Sequence, residues 1–192
     1  MRMDFVAGIW FSLIAAQIAL LLALVGFLIR FGILIISRGY DVPFVRTPRK
    51  YYPVIEEALQ ISPGDVVYDL GSGEGKFVLY LAKRHPDVRF IGIERNRLLC
   101  TQALLRKRFA GSPSNATFRR ENFYMSDLSN ATRIYAYLLS KVMTRLFAER
   151  THPGLRIVSR AFKIKGREPL ETITLSKREG FHGEHELHVY EL

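Results

Sequence analysis

The feature that most restricts the fold of this chain is a short β-branched run that ends in glycines. Val66-Val67-Tyr68-Asp69-Leu70 is followed at once by Gly71-Ser72-Gly73-Glu74-Gly75. A five-residue segment of this kind reads as a strand buried on both faces, as in a parallel sheet. The glycines permit a sharp turn and let a ligand approach where a Cβ would clash. From Lys76 to Arg84, Phe77, Val78, Leu81 and Ala82 recur at helical spacing. Strand, glycine turn and helix predict a ligand site at the carboxyl end of that first strand.

The alternation continues downstream. Strands are expected over 89–94, 116–120, 133–139 and 155–162, and helices over 97–109 and 141–149. Two more strands, 171–176 and 186–191, have no helix-length segment between them and suggest a closing hairpin. Upstream, Pro43 keeps 39–46 extended as a connector. Thr47-Pro48 reads as a helix start, with Thr47 as N-cap and Pro48 in the first helical position. The expected fold is α/β: a Rossmann-like, doubly wound, mostly parallel sheet with an antiparallel C-terminal edge strand.

The N-terminus has a different character. Val6 to Ile29 is 24 residues without a charge, and its only polar side chains are Ser12 and Gln17. At roughly 1.5 Å per residue this stretch is long enough to cross a hydrocarbon core of about 30 Å. A cleaved signal peptide would have a shorter apolar region, about 7–15 residues, and here the run resumes at Phe31–Ile36. The expected organisation is therefore a transmembrane anchor over 1–38 and a folded domain over 39–192. Arg30, Arg38, Arg46, Arg49 and Lys50 outweigh Arg2 on the other flank. The positive-inside bias then predicts a single-pass protein with its domain on the cytoplasmic side. The absence of an Arg- and Ser-rich presequence favours a prokaryotic plasma membrane over a mitochondrial inner membrane.

The formal net charge is +10. Arg95, Arg97, Arg106, Lys107 and Arg108 form one basic cluster, and Arg119 with Arg120 a second. Such a surface suits anionic headgroups beside a tethering bilayer, with nucleic acid the less favoured partner and a merely solvated face the bland alternative. Cys100 is the only cysteine, so neither an intrachain disulfide nor a cysteine zinc cluster is possible. His182, His185 and His188 are spaced by three, but on a strand His185 and His188 face opposite ways, so no metal site is expected.

Glycine spacing discriminates between cofactors. A dinucleotide loop needs G-x-G-x-x-G; here the third glycine arrives one residue early and Lys76 takes the dinucleotide position. Asp69, two residues before the first glycine, suits a cationic ligand better than a diphosphate. Glu94 closes the second strand, where a carboxylate can accept both hydroxyls of a ribose. Both acids have a plain alternative as strand-end surface residues.

The Asp69–Gly75 loop with Glu94 resembles the class I, seven-stranded S-adenosylmethionine-dependent methyltransferases. Pro43–Pro48, Val66–Gly75 and Tyr137-Leu138-Leu139, after an apolar segment, are similar to a narrower group. That group comprises small membrane-anchored protein-lysine methyltransferases, including those acting on the ATP synthase c-subunit and the adenine nucleotide translocase. The resemblance implies that Asp69, Gly71, Ser72, Gly73 and Gly75 surround the methionine and ribose of S-adenosylmethionine and that Glu94 binds the ribose. Asn122 falls where an aspartate often meets the adenine amine. Phe44 and Thr47 would close over the cofactor, and Tyr137 would orient the acceptor amine, unless Thr47 is only a cap and Tyr137 only a core tyrosine. The chain has no Asn/Asp-Pro-Pro-Tyr/Phe sequence, which lowers amide and exocyclic-amine substrates. The implied function is methylation of a lysine on a membrane or membrane-adjacent protein. The alternatives are an RNA, small or lipid-like acceptor, or a non-catalytic tethered module.

Overall fold

The computed structural model describes residues 2–37, 45–175 and 185–192. The chain divides into two compact units, Met1–Phe44 and Val45–Leu192. The first contains one helix, α1 (Arg2–Ser37), 36 residues long. Trp10 and every side chain from Ser12 to Leu28 are exposed. Among the described residues no helix is long and apolar enough to cross a membrane. The transmembrane anchor expected over 1–38 therefore gains no support from the described residues.

The second unit is built on a seven-stranded sheet. Its strands are β1 (Val66–Leu70), β2 (Arg89–Ile93), β3 (Ala116–Arg119), β4 (Arg133–Ala136), β5 (Arg156–Arg160), β6 (Glu171–Thr174) and β7 (Glu186–Glu191). They lie in the order β3-β2-β1-β4-β5-β7-β6. The first five are parallel, and β7 runs antiparallel to both of its neighbours. The helices are α2 (Tyr52–Leu59), α3 (Lys76–Arg84), α4 (Arg97–Phe109) and α5 (Ser140–Leu146). The chain order reverses between β1 and β4, so the crevice of a doubly wound sheet opens at their carboxyl ends.

The antiparallel strand is β7, and it is not the edge strand expected from the sequence. Leu187, His188, Val189 and Tyr190 are all buried, and the backbone of β7 pairs with β5 on one side and β6 on the other. In β6, Glu171, Thr172 and Thr174 are exposed, as suits a polar sheet margin. The hairpin therefore folds inward and places β7 between β5 and β6. In β7, His188 accepts or donates a 3.3 Å hydrogen bond with Thr172 Oγ1 across the hairpin, and burial holds its ring pKa below the ordinary value. His182 lies outside the described residues.

Two further expectations change. β4 stops at Ala136, because Leu139 already occupies the N-cap position of α5. The turn preceding α2 is a 3-10 helix over Arg49–Tyr51 with Pro48, not Thr47, at its N-cap. Thr47 is diverted to a tertiary contact, described below. The helical face of α3 is as expected, with Phe77, Val78, Leu81 and Ala82 buried.

Gly75 fixes how closely α3, α4 and β3 pack. Its φ is +73°, and a Cβ added there would fall on the Phe118 ring and 2.8 Å from Ala103 Cβ. Gly64 has φ +88° with nothing within 4 Å of an added Cβ. Gly75→Ala is expected to cost about 2–4 kcal/mol, combining left-handed backbone strain with overpacking. Gly64→Ala carries only the backbone term, about 1–2 kcal/mol. Urea unfolding of both variants checks this; equal losses would show that the close approach at Gly75 is not a constraint.

Candidate active site

Asp69 is the penultimate residue of β1, in register with Gly92 on β2 and Tyr135 on β4. Its side chain is buried. Burial, and next the negative charge of Glu94, push its carboxyl up to about 8. The loop that leaves Leu70 is pinned over the end of β2: Gly71 N and Ser72 N both donate to Ile93 O, at 2.9 and 3.0 Å. Gly71, Gly73 and Gly75 all have positive φ. One residue on, Gly73 N donates to Glu94 Oε2 at 2.9 Å. The other carboxylate oxygen accepts from Asn96 N at 2.7 Å, and Asn96 Oδ1 caps α4 by accepting from Leu98 N and Leu99 N. Burial raises the Glu94 carboxyl while these backbone donors pull it down, leaving it above its ordinary value.

Glu74, inside the loop, is the converse case. Its side chain is 3% exposed and meets three cations: Arg46, Lys76 and Arg106. Arg46 Nε donates to its Oε1 at 2.8 Å, and Arg106 donates to Oε2 at 2.8 Å. Burial alone would raise this carboxyl, but the bonds from Lys76 and Arg46 outweigh it and hold the group below the usual carboxylate range. Arg46, counted from sequence among the basic flank of the apolar segment, thus ties the 45–48 segment to the glycine loop.

A second group gathers at the carboxyl ends of β4 and β5. Tyr135, buried on β4, shares a 2.8 Å hydrogen bond with Thr47 Oγ1, and burial raises its phenol well above the ordinary value. Arg160, buried at the end of β5, donates to the same Thr47 oxygen at 3.3 Å. Its guanidinium lies 4.4 Å from the Tyr137 ring centroid and 5.4 Å from that of Tyr51. Tyr137 follows β4, is half-buried, and stacks on Phe162 at 6.2 Å.

Of the site residues expected from sequence, Asp69, Gly71, Ser72, Gly73, Gly75 and Glu94 form one contiguous set. Thr47 and Tyr137 join a second through Arg160, and the pairing of Asp69 with Tyr135 connects the two. Asn122 follows β3, with Oδ1 accepting from Tyr124 N at 3.1 Å; that carbonyl is committed to a local turn. Phe44 lies outside the described residues. Sequence reasoning missed Glu74, Arg160 and Tyr135. Glu74 is signalled by a carboxylate inside a glycine loop beside Lys76, whereas the partners of Arg160 are 23 and 113 residues away.

A neutral-leaning carboxyl beside a second carboxylate suits a ligand that is both cationic and a diol. Positive-φ glycines beneath it leave room for such a ligand. This donor set, at the switch point of a 3-2-1-4-5-7-6 sheet, defines a class I S-adenosylmethionine-dependent methyltransferase. The chain belongs to the ANTKMT methyltransferase domain family, whose model matches residues 69–171. A protein-lysine N-methyltransferase of Saccharolobus islandicus is 34% identical over 135 residues, covering 69% of this chain and 84% of that protein. Among solved structures, an RNA methyltransferase from Salinibacter ruber in complex with S-adenosyl-L-homocysteine superposes with TM-score 0.69. It is 29% identical, and the match covers 77% of this chain and 93% of that one. An S-adenosylmethionine-dependent methyltransferase from Geobacter sulfurreducens, solved with the same product, gives TM-score 0.50 at 25% identity, with 64% of this chain and 51% of that one covered.

Two outcomes follow from the carboxyls. Asp69 has a folded pKa raised above its unfolded value near 3.9. Its protonated form therefore favours the ligand-free fold, and that contribution is lost as pH rises from about 4 through about 8. A cationic ligand reverses the preference, so S-adenosylmethionine binding at pH 7 is expected to release protons and to tighten as pH rises towards 8. Calorimetry in buffers of different ionisation enthalpy reads this, and Asp69→Asn should abolish the buffer dependence. Glu74→Ala leaves behind cations that reach water, so about 1–3 kcal/mol of stability should be lost. That is less than the roughly 3–5 kcal/mol of a broken, fully buried pair. Thermal unfolding at low and high salt measures it.

Proposed function

We propose that this methyltransferase modifies the ε-amine of a lysine in a protein at or beside a membrane, to which α1 tethers it. The observation that carries the lysine reading is the Saccharolobus protein-lysine N-methyltransferase, matched over 84% of its length. S-adenosylmethionine supplies an electrophilic methyl on a sulfonium. Asp69 faces the cationic end of that donor, and Glu94 takes the ribose hydroxyls with the lone pairs its backbone bonds leave over. Gly71, Ser72, Gly73 and Gly75 shape the wall between them, and Asn122 borders the adenine. Thr47, held by Tyr135 and Arg160, closes the other side.

The acceptor lysine must arrive without its proton. Arg160, a buried cation 4.4 Å from the Tyr137 ring, and the sulfonium both disfavour an ammonium between them, which lowers the amine pKa. The Tyr137 hydroxyl then orients the nitrogen lone pair towards the methyl, and positioning supplies most of the acceleration.

The anchor reading rests on the uncharged sequence from Val6 to Ile29. Its basic C-terminal flank favours a single-pass arrangement with the domain on the cytoplasmic side. Tethering concentrates substrates of the same membrane around the site.

RNA is the second reading. It is favoured by the Salinibacter neighbour being an RNA methyltransferase and by the basic cluster at 95–108. Radiolabelled methyl transfer into isolated membranes separates the two: label recovered as methyl-lysine supports the proposal, and nuclease-sensitive label overturns it. Within that assay, Tyr137→Phe should lower kcat about tenfold, the worth of one lost hydrogen bond. The KM for S-adenosylmethionine should stay nearly constant. An unchanged kcat would make Tyr137 structural.

A further inference from the structure

Helix α4 turns an apolar ridge outward. Leu98, Leu105 and Phe109 are 63%, 50% and 87% exposed. Their spacing of seven and then four residues places them on one stripe of the helix. The opposite stripe, with Cys100 and Ala103, is buried against the domain. A surface helix normally carries polar residues on its outer face; α4 instead exposes Leu98, Leu104, Leu105 and Phe109 beside Arg97, Thr101, Arg106 and Arg108. Exposed Arg97 and Arg108 flank the ridge. No Asp or Glu occurs anywhere from Arg95 to Arg120, so every formal charge that α4 itself carries is positive.

An apolar strip beside arginines, on a helix that carries no carboxylate of its own, matches the interfacial layer of an anionic bilayer. Aliphatic and aromatic groups reach the acyl boundary there while guanidiniums meet headgroup phosphates. A nucleic-acid surface would need its cations at the centre of contact with the phosphate backbone; on α4 the centre is aliphatic and the charge lies at the rim.

We propose that the outer face of α4 docks on an anionic lipid bilayer. Leu98, Leu105 and Phe109 enter the headgroup–acyl boundary, and Arg97 and Arg108 bind the phosphates. This surface is distinct from the α1 anchor and does not depend on it. Asn96, whose backbone amide bonds Glu94, caps α4 only two residues before Leu98. Docking therefore sets the cofactor end of the site beside the bilayer surface, where acceptor side chains near headgroup level are presented.

The test uses the full chain carrying Trp10→Phe and Leu105→Trp, which leaves a single indole on the ridge. The protein is added to vesicles of phosphatidylcholine alone, or with phosphatidylglycerol, with and without brominated acyl chains. The expected result is a shift of the indole emission to shorter wavelength, and quenching by bromolipid, in anionic vesicles only. Adding Arg97→Glu and Arg108→Glu should remove both signals while S-adenosylmethionine binding is retained. Emission that stays at the water-exposed position in anionic vesicles overturns the proposal. So does an emission change on adding RNA without any lipid response, which would assign the face to nucleic acid. Flotation with neutral vesicles reports α1 separately. Flotation without an indole response overturns the α4 proposal and leaves the anchor standing, whereas an indole response without flotation in neutral vesicles supports α4 and removes the anchor.

Discussion

The hydrogen bond from Gly73 N to Glu94 is the contact on which the rest of the site depends. It is charge-assisted and partly buried, and so stronger than a neutral bond of the same length. It fastens the turn after β1 to the residue that ends β2. The same carboxylate takes the amide of Asn96, and Asn96 caps α4, so one side chain sets the loop, the strand end and a helix start together. Two of its lone-pair positions serve the backbone, and the others face the site. Glu94 thus holds the cradle in shape while remaining able to accept from a diol.

Around that contact the carboxylates are sorted by their neighbours. Glu74 is buried among Arg46, Lys76 and Arg106 and stays ionised. It joins the glycine loop to the 45–48 segment and to α4, and needs nothing further to balance its charge. Asp69 lies one strand position from the loop, and burial, then the charge of Glu94, drives it towards its neutral form. Similar side chains five residues apart therefore do opposite work, one as a fastening and the other as a group whose charge awaits a cation. On the far side, Arg160 lies against the rings of Tyr137 and Tyr51 and places a positive charge at the ends of β4 and β5. A crevice that favours a cation at one wall and disfavours an ammonium at the other suits transfer from a sulfonium to a neutral amine.

Much of this was legible in the primary structure because it is local. Val66–Leu70, the glycine spacing and the helical face of α3 are set by neighbours within a few residues, and the chain has no other way to satisfy them. Glu94 was legible for the same reason, since a strand-end acid at a fixed distance from the glycine turn is a local pattern. The strand that ends at Ala136 was read too long, because the cap that cuts it depends on how α5 packs. Thr47 was read as a cap because Thr-Pro has that meaning in isolation; the phenol of Tyr135, 88 residues away, recruited it instead.

The sequence by itself determined the element types and the glycine turn after β1 with Asp69 and Glu94 beside it, because periodicity and glycine placement act over short distances. Only the tertiary structure decided that β7 would lie inside the sheet, since that rests on its backbone pairing with β5 and β6 at once. It alone decided that Glu74 would gather Arg46, Lys76 and Arg106, and that Arg160 would meet Tyr137. Those pairings join residues far apart in the chain, and their strength depends on burial, which no stretch of sequence fixes before the fold has closed around it.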